Sequence, residues 1–429
     1  MRKNLLHIWH KELSYEIRDI VEVAKKIQSF WKEIFWENIW DPIEKWEKVP
    51  AWIKDIVSET LQNDRVYGYS PSRWLDSTRE YIVSKNNKIN KYNIIFFNGL
   101  WDAINKIYKS LAFDSRIIGP NPAYSTHSSA EAAHAGTSHI TYTLDPNNDW
   151  KPDLEELENK VKYNPNIVGI LVINPDNPTG YVFSREDIIA IVEVAKKYDL
   201  FLIFDEIYEK LTYEEKDRVL LADVIWDVPW ISMKGISKDL PWPGSRCGWI
   251  EVYNEDKDEN FKQYIKSILT SKMLEVCSTT LPQFVLPEIY EDERYKKSLQ
   301  VRLLKYQKRA QIAEDIFRNI PLINFLKPKW AFYLSVSFNL ETINQEYIPN
   351  IEEPNIKKFI SGALDTVTRF DKKFCYYLLA KTGVCIVPLS GFNSTYDGFR
   401  WTLLEEDESK YRFILETIRD FILEFKKDV

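Results

Sequence analysis

The chain has 429 residues, 45% apolar and 28% charged, with a formal net charge of −7, and that length favours two packed domains over one core. No window holds the roughly 18 to 20 apolar residues of a membrane helix, and basic residues are too scattered for a nucleic-acid footprint. Cys247, Cys277, Cys375 and Cys385 lack the CxxC spacing of a zinc site or disulfide framework, and His7, His10, Lys11 and Glu12 interrupt what could have been a secretory leader. The expectation is a cytoplasmic protein with reduced thiols, no metal and a small-molecule ligand.

Residues 12–29 place Leu13, Ile17, Ile20, Ala24 and Ile27 at the spacing of an amphipathic helix, and a loop carrying ENIWDP follows. From about residue 55 to about 310, short β-branched or aromatic runs alternate with helical stretches. NIIFF at 93–97, IVGILVI at 167–173 and LFLIF at 200–204 predict strands, and 186–198 predicts a helix between the last two. Such continuous apolar runs are buried on both faces of a parallel sheet with helical crossovers, which makes the class α/β. Residues 281–318 read as one long charged helical stretch. The runs FYLSVSF and VCIVPL within 319–429 predict a smaller α+β domain. The expected division is a segment 1–54 joining the small domain, a large domain 55–310 and a small domain 311–429. The polar stretch 340–372 lacks periodicity before Ile356 and is expected to form a lid or insertion.

The segment 172–208, VINPDNPTGYVFSREDIIAIVEVAKKYDLFLIFDEIY, sets a strand, a Pro-rich turn, a crossover helix and a second strand in succession. Ligands of open α/β sheets sit outside the carboxyl ends of the strands, so Asn177 and Asp205 are expected to face one crevice. Alone, NP would be only a turn and Asp205 only a helix cap. The pair stands out because SKDLPWPGSRCGW follows at 237–249, with Lys238 eight residues before Arg246. A lysine that bonds to a carbonyl must be available unprotonated near neutral pH, which burial or a nearby cation achieves. The planar fork of Arg246 suits a phosphate. Lys234 is a rival without that spacing. Upstream, FNGLWDA at 97–103 follows a strand and opens a helix, where backbone N–H groups and the helix dipole favour a phosphate.

NPDNPTG, FDEIY and SKDLPWPGSRCGW, in this order and spacing, closely resemble the class I/II aminotransferases of the aspartate aminotransferase type, and the likeness runs over nearly the whole chain. The resemblance implies fold type I, with a mainly parallel seven-stranded sheet flanked by helices in the large domain and a smaller α+β domain built from both termini. It implies a pyridoxal 5′-phosphate (PLP) enzyme in which Lys238 carries the cofactor as a Schiff base and later acts as general base, while Asp205 pairs with the pyridinium nitrogen. Asn177 and Tyr208 would bond the ring oxygen, and Tyr124 would stack on the ring. Arg246, Ser237 and the backbone of Gly99, Leu100 and Trp101 would hold the phosphate. Arg400, in GFR at 398–400, would grip the substrate's α-carboxylate beside Asn177 and the Trp40 loop. Tyr69, in YGYSP at 67–71, would reach the phosphate of a neighbouring subunit, making the active unit a homodimer. The implied reaction moves the α-amino group of an aspartate, alanine or aromatic-type amino acid to a 2-oxo acid, with Arg73 the candidate for a second carboxylate. β-Decarboxylation, C–S lysis and non-catalytic PLP binding are the alternatives on the same residues.

The chain departs from that family pattern where tryptophan replaces glycine: Trp40 in ENIWDP, Trp74 in SPSRWLDS, Trp101 in NGLWDA and Trp330 in KPKWAFYL, with Trp36, Trp46 and Trp230 as further candidates. The chain holds 13 Gly, about 3% against a usual share of about 7%, and 15 Trp. Either the pocket has diverged, or the gene reads UGA as glycine where this sequence has tryptophan. The second explanation accounts for the low Gly, the high Trp and the positions together.

Overall fold

A computed structural model describes residues 5, 16–45, 47–214 and 219–427. Leu13 and Trp46 lie outside the described residues. The predicted strands form one eight-stranded sheet: β1 (Ile94–Asn98), β2 (Arg116–Asn121), β3 (Thr141–Asp145), β4 (Lys151–Pro152), β5 (Ile167–Ile173), β6 (Phe201–Asp205), β7 (Trp230–Gly235) and β8 (Cys247–Tyr253). Their order is β1-β8-β7-β6-β5-β2-β3-β4. The run from β7 to β3 is parallel, while β8 is antiparallel to both β7 and β1, and β4 is antiparallel to β3. The expected count of seven strands is corrected by β4, a two-residue addition at the edge, where a proline without an N–H is tolerated.

Crossover helices cover the sheet. Arg185–Lys197 links β5 to β6 and begins in a capping box, in which the Ser184 side chain accepts from the Asp187 N–H and Asp187 accepts from the Ser184 N–H. Its Ile188, Ile191, Val192 and Ala195 are fully buried, so a single helical face closes over the sheet.

A second hydrophobic core joins the N-terminal helix Glu16–Gln28, through Ile20, Ala24 and Ile27, to the C-terminal third of the chain. There the antiparallel strands Tyr333–Phe338 and Gly398–Thr402 set Ser335 opposite Arg400. Helix Ala51–Thr60 runs across residue 54 and buries Trp52 and Ile53 in the core of the large sheet, so a boundary at 54 would cut it. The charged stretch 281–318 is two helices, Thr280–Glu291 and Glu293–Phe317, because Asp292 leaves the helical conformation to cap the second through the Arg294 N–H. The run VCIVPL is likewise divided: Val384–Cys385 pairs with Phe35–Trp36, and Val387–Pro388 pairs with the strand Gly398–Thr402. The stretch 340–372 is no lid. Ile343, Ile351, Ile356 and Ile360 are buried in the second core, and helix Pro354–Leu364 packs there. No helix among the described residues is long and apolar enough to cross a membrane.

Candidate active site

The carboxyl ends of β5, β6 and β7 open onto a cavity of about 170 Å³ that also reaches the strand Gly398–Thr402. Asp205 ends β6, only 3% exposed. One carboxylate oxygen accepts from the Ile207 N–H at 3.2 Å, and the other lies 3.1 Å from His127 Nε2. Two partners fix the carboxylate in place and leave its remaining lone pairs for the cavity.

Lys238 follows β7. Its Nζ donates to the Trp40 carbonyl at 3.3 Å and lies 5.7 Å and 5.9 Å from the centres of the Phe332 and Tyr208 rings. Burial pulls its pKa down to about 7; Asp41 opposes this and the Arg400 cation adds to it. Near neutral pH a large fraction of this amine is therefore unprotonated and nucleophilic. The rival Lys234 faces elsewhere: its Nζ lies 2.5 Å from Glu209 and 3.5 Å from Glu206.

One pole of the cavity suits an anion. Gly99 precedes helix Leu100–Lys109 with φ +81, and a Cβ there would stand 2.4 Å from the Arg246 guanidinium. The glycine therefore lets the helix N-terminus and Arg246 approach one point, where free N–H groups and a cation converge. Leu100, Trp101, Ser237 and Arg246 line this end.

Arg400 occupies the other pole, 2% exposed. It donates to Asn177 Oδ1 at 3.3 Å and to the Asn38 carbonyl at 3.2 Å, and its guanidinium lies 4.6 Å from the centre of the Tyr333 ring. The Tyr208 hydroxyl donates to the Tyr333 hydroxyl at 3.0 Å, and burial raises the pKa of Tyr208 well above its ordinary value. Tyr208 thus remains a neutral hydrogen-bond donor. In the NPDNPTG turn, Asp176 accepts from the Thr179 N–H at 3.0 Å and from its hydroxyl at 2.5 Å. Asp176 holds the turn together and leaves Asn177 facing the cavity.

Of the site residues expected from sequence, Trp40, Leu100, Trp101, Tyr124, Asn177, Asp205, Tyr208, Ser237, Lys238, Arg246 and Arg400 all line this cavity, and Gly99 touches it through Arg246. Tyr69 does not line it and stands 83% exposed on the surface. Arg73 is exposed and also absent from the lining. Sequence reading missed Tyr333 and His127. His127 carries a local signal, three residues after Tyr124, which caps the helix Ser125–Ala135 that carries it; Tyr333 carries none.

The cavity thus brings together a lysine poised as a nucleophile, a fixed carboxylate, an anion-friendly helix end with Arg246 and a buried arginine. The profile of the family "Aminotransferase class I and II" matches residues 41–413. An "Uncharacterized aminotransferase" of Methanocaldococcus jannaschii is 51% identical over 432 residues, covering 100% of both chains. The "Glutamate-pyruvate aminotransferase AlaA" of Escherichia coli is 26% identical over 78% of this chain and 82% of its own. Among solved structures, an alanine aminotransferase of Pyrococcus furiosus superposes with a TM-score of 0.83 at 23% identity, over 98% of this chain and 100% of that one. The chain belongs to the aminotransferase class I and II family and is by that membership a transaminase.

Proposed function

We propose that this chain binds PLP and exchanges the amino group of alanine, or a similarly small uncharged amino acid, with a 2-oxo acid. The observation that carries the reading is the convergence of Lys238, Asp205, Arg246 and Arg400 on one cavity. The residues fit the cofactor: a side chain at Gly99 would fill the phosphate cradle, and Lys238 has the depressed pKa that covalent attachment requires. When bound, PLP supplies an electron sink for the carbanion left as the α-proton departs.

Each residue then has a physical task. Lys238 would hold the cofactor and, when freed, move the α-proton as a base poised near neutrality. Asp205, braced by His127, would keep a proton on the ring nitrogen. Asn177 and Tyr208, the latter turning its hydroxyl away from Tyr333, would donate to the ring oxygen, Tyr124 would stack on the ring, and Ser237, Arg246 and the backbone of Gly99, Leu100 and Trp101 would receive the phosphate. Arg400 would take the α-carboxylate. Once Lys238 and Arg246 are assigned to the cofactor, Arg400 is the remaining lining cation, with Tyr333 against it, and among the described residues the lining holds no further cation for a side-chain carboxylate. That lining favours an uncharged side chain, and alanine is the one in the name of the P. furiosus relative. Exposed Tyr69 supports a homodimer in which this ring completes the partner's phosphate site. A cytoplasmic setting is in keeping with four cysteines that form no disulfide.

The test is an absorbance titration with PLP, followed by single-turnover reactions with L-alanine, L-aspartate and L-tyrosine. Alanine is expected to convert the cofactor fastest. A protein that takes up no PLP overturns the cofactor assignment. Faster conversion by aspartate or tyrosine overturns the substrate assignment alone.

A further inference from the structure

The tryptophans divide into those the fold uses and those it merely accommodates. Trp52 donates to Ser298 Oγ at 3.2 Å, Trp249 donates to Glu251 at 3.0 Å, and Trp230 stacks on Tyr253 at 3.9 Å. Trp401 packs between Phe317 and Phe399. Trp150 has φ +62, but its indole is 1% exposed and meets Tyr396 edge-on, so burial compensates for the backbone.

Trp31 has no such compensation. It closes the turn after helix Glu16–Gln28 with φ +68, its N–H bonds the Gln28 carbonyl at 2.9 Å, and the side chain is 98% exposed. Elsewhere in the same fold, helices Ser125–Ala135 and Phe370–Thr382 end in left-handed residues that are glycines, Gly136 with φ +65 and Gly383 with φ +82. A residue with a Cβ is disfavoured there, and an indole in water returns nothing.

Trp74 has the same backbone angle, φ +65, in a tight turn whose N–H bonds the Pro71 carbonyl at 2.6 Å, although its indole is buried and donates to Ser278 Oγ at 3.2 Å. Trp330 is fully buried, and its indole N–H, like that of Trp401, has no hydrogen-bond partner among the described residues. Its ring sits 5.0 Å from that of Tyr208, directly behind the site. Trp101 and Trp40 line the cavity itself, 48% and 37% exposed, one on the helix end that meets the phosphate pole and the other on the loop whose carbonyl touches Lys238.

We propose that positions 31, 40, 74, 101 and 330 are built for glycine, that the native organism reads UGA as glycine at them, and that positions 40 and 101 thereby set the room in the cofactor and substrate cavity. Position 31 combines a left-handed backbone with full exposure, and position 74 shares the backbone angle, so neither depends on the functional reading. The claim for 40 and 101 rests on that reading. A shared codon accounts for an exposed left-handed indole, a second left-handed turn, an indole against Tyr208 and two indoles in the cavity itself, which divergence would have to explain one by one.

The test has two parts. In the gene, TGA is expected at 31, 40, 74, 101 and 330, with TGG at 52, 150, 249 and 401; peptides from the native organism should carry glycine at the first set. TGG at 31 and 74 overturns the proposal. In vitro, the chain carrying all five Trp→Gly changes should melt roughly 5 °C or more above the tryptophan chain and bind PLP about tenfold more tightly. Trp52→Gly, as a control, should melt lower. A five-glycine chain that is no more stable and binds PLP no more tightly overturns it equally, and a stable chain with unchanged PLP affinity overturns the part concerning 40 and 101.

Discussion

Lys234 and Lys238 lie four residues apart, and the fold gives them opposite chemistry. Lys234, on β7, points into a cavity of about 580 Å³ shared with Glu206, Glu209 and Glu251, and these carboxylates hold its pKa well above the ordinary lysine value despite the desolvation. Lys238, in the turn beyond the strand, enters the smaller cavity, where burial and Arg400 outweigh Asp41 and its pKa falls to about 7. Burial alone therefore does not make a lysine reactive. Keeping carboxylates at a distance does, and the roomier cavity is the wrong one for covalent chemistry.

That contrast can be broken in four ways, taken from the largest expected effect to the smallest. Lys238→Ala should reduce amino transfer by about 10⁴-fold, since the covalent anchor and the base are lost together; single-turnover rates with alanine measure it. Lys234→Met should leave turnover close to wild type but strand the buried carboxylates, lowering stability by about 3 kcal/mol in urea unfolding. An equal loss of activity in both variants would end the distinction between the two lysines.

The cofactor-free protein offers a pH test. Between about pH 7 and 10.5 the unfolded chain keeps a proton on Lys238 that the folded chain has released, so stability rises with pH across that window. Lys238→Met removes the penalty. The variant should be more stable than wild type at pH 7, with the gap narrowing towards pH 10, as denaturant midpoints would show. A constant gap would mean that Lys238 is not depressed. The smallest effect is expected from Tyr333→Phe, which takes the hydroxyl partner from Tyr208 and should cost about 1 kcal/mol, roughly fivefold in kcat/KM.

Much of the site is legible in the sequence because its parts are consecutive. β5, the NPDNPTG turn, the crossover helix and β6 follow one another without interruption, and the C-terminal ends of neighbouring parallel strands must open on the same side. Local spacing thus places Asn177, Asp205, Lys238 and Arg246 together. Other features are not legible there: the break at Asp292, the division of VCIVPL between two sheets and the packing of 340–372 depend on partners far away along the chain. Periodicity shows which face of an element is apolar but not what will cover it.

For this protein, the sequence alone determined the α/β class, the order of the central elements and the residues that bring charge to the carboxyl edge of the sheet, because these follow from side-chain period and short connections. Only the tertiary structure decided that Arg400 reaches Asn177 across 223 residues, that His127 braces Asp205, that Tyr333 meets Tyr208, and that Lys238 rather than Lys234 loses its proton near neutrality. Each of these depends on desolvation or a hydrogen bond between distant segments, and the same is true of the backbone angle at Trp31, which no motif marks and only the closed turn reveals.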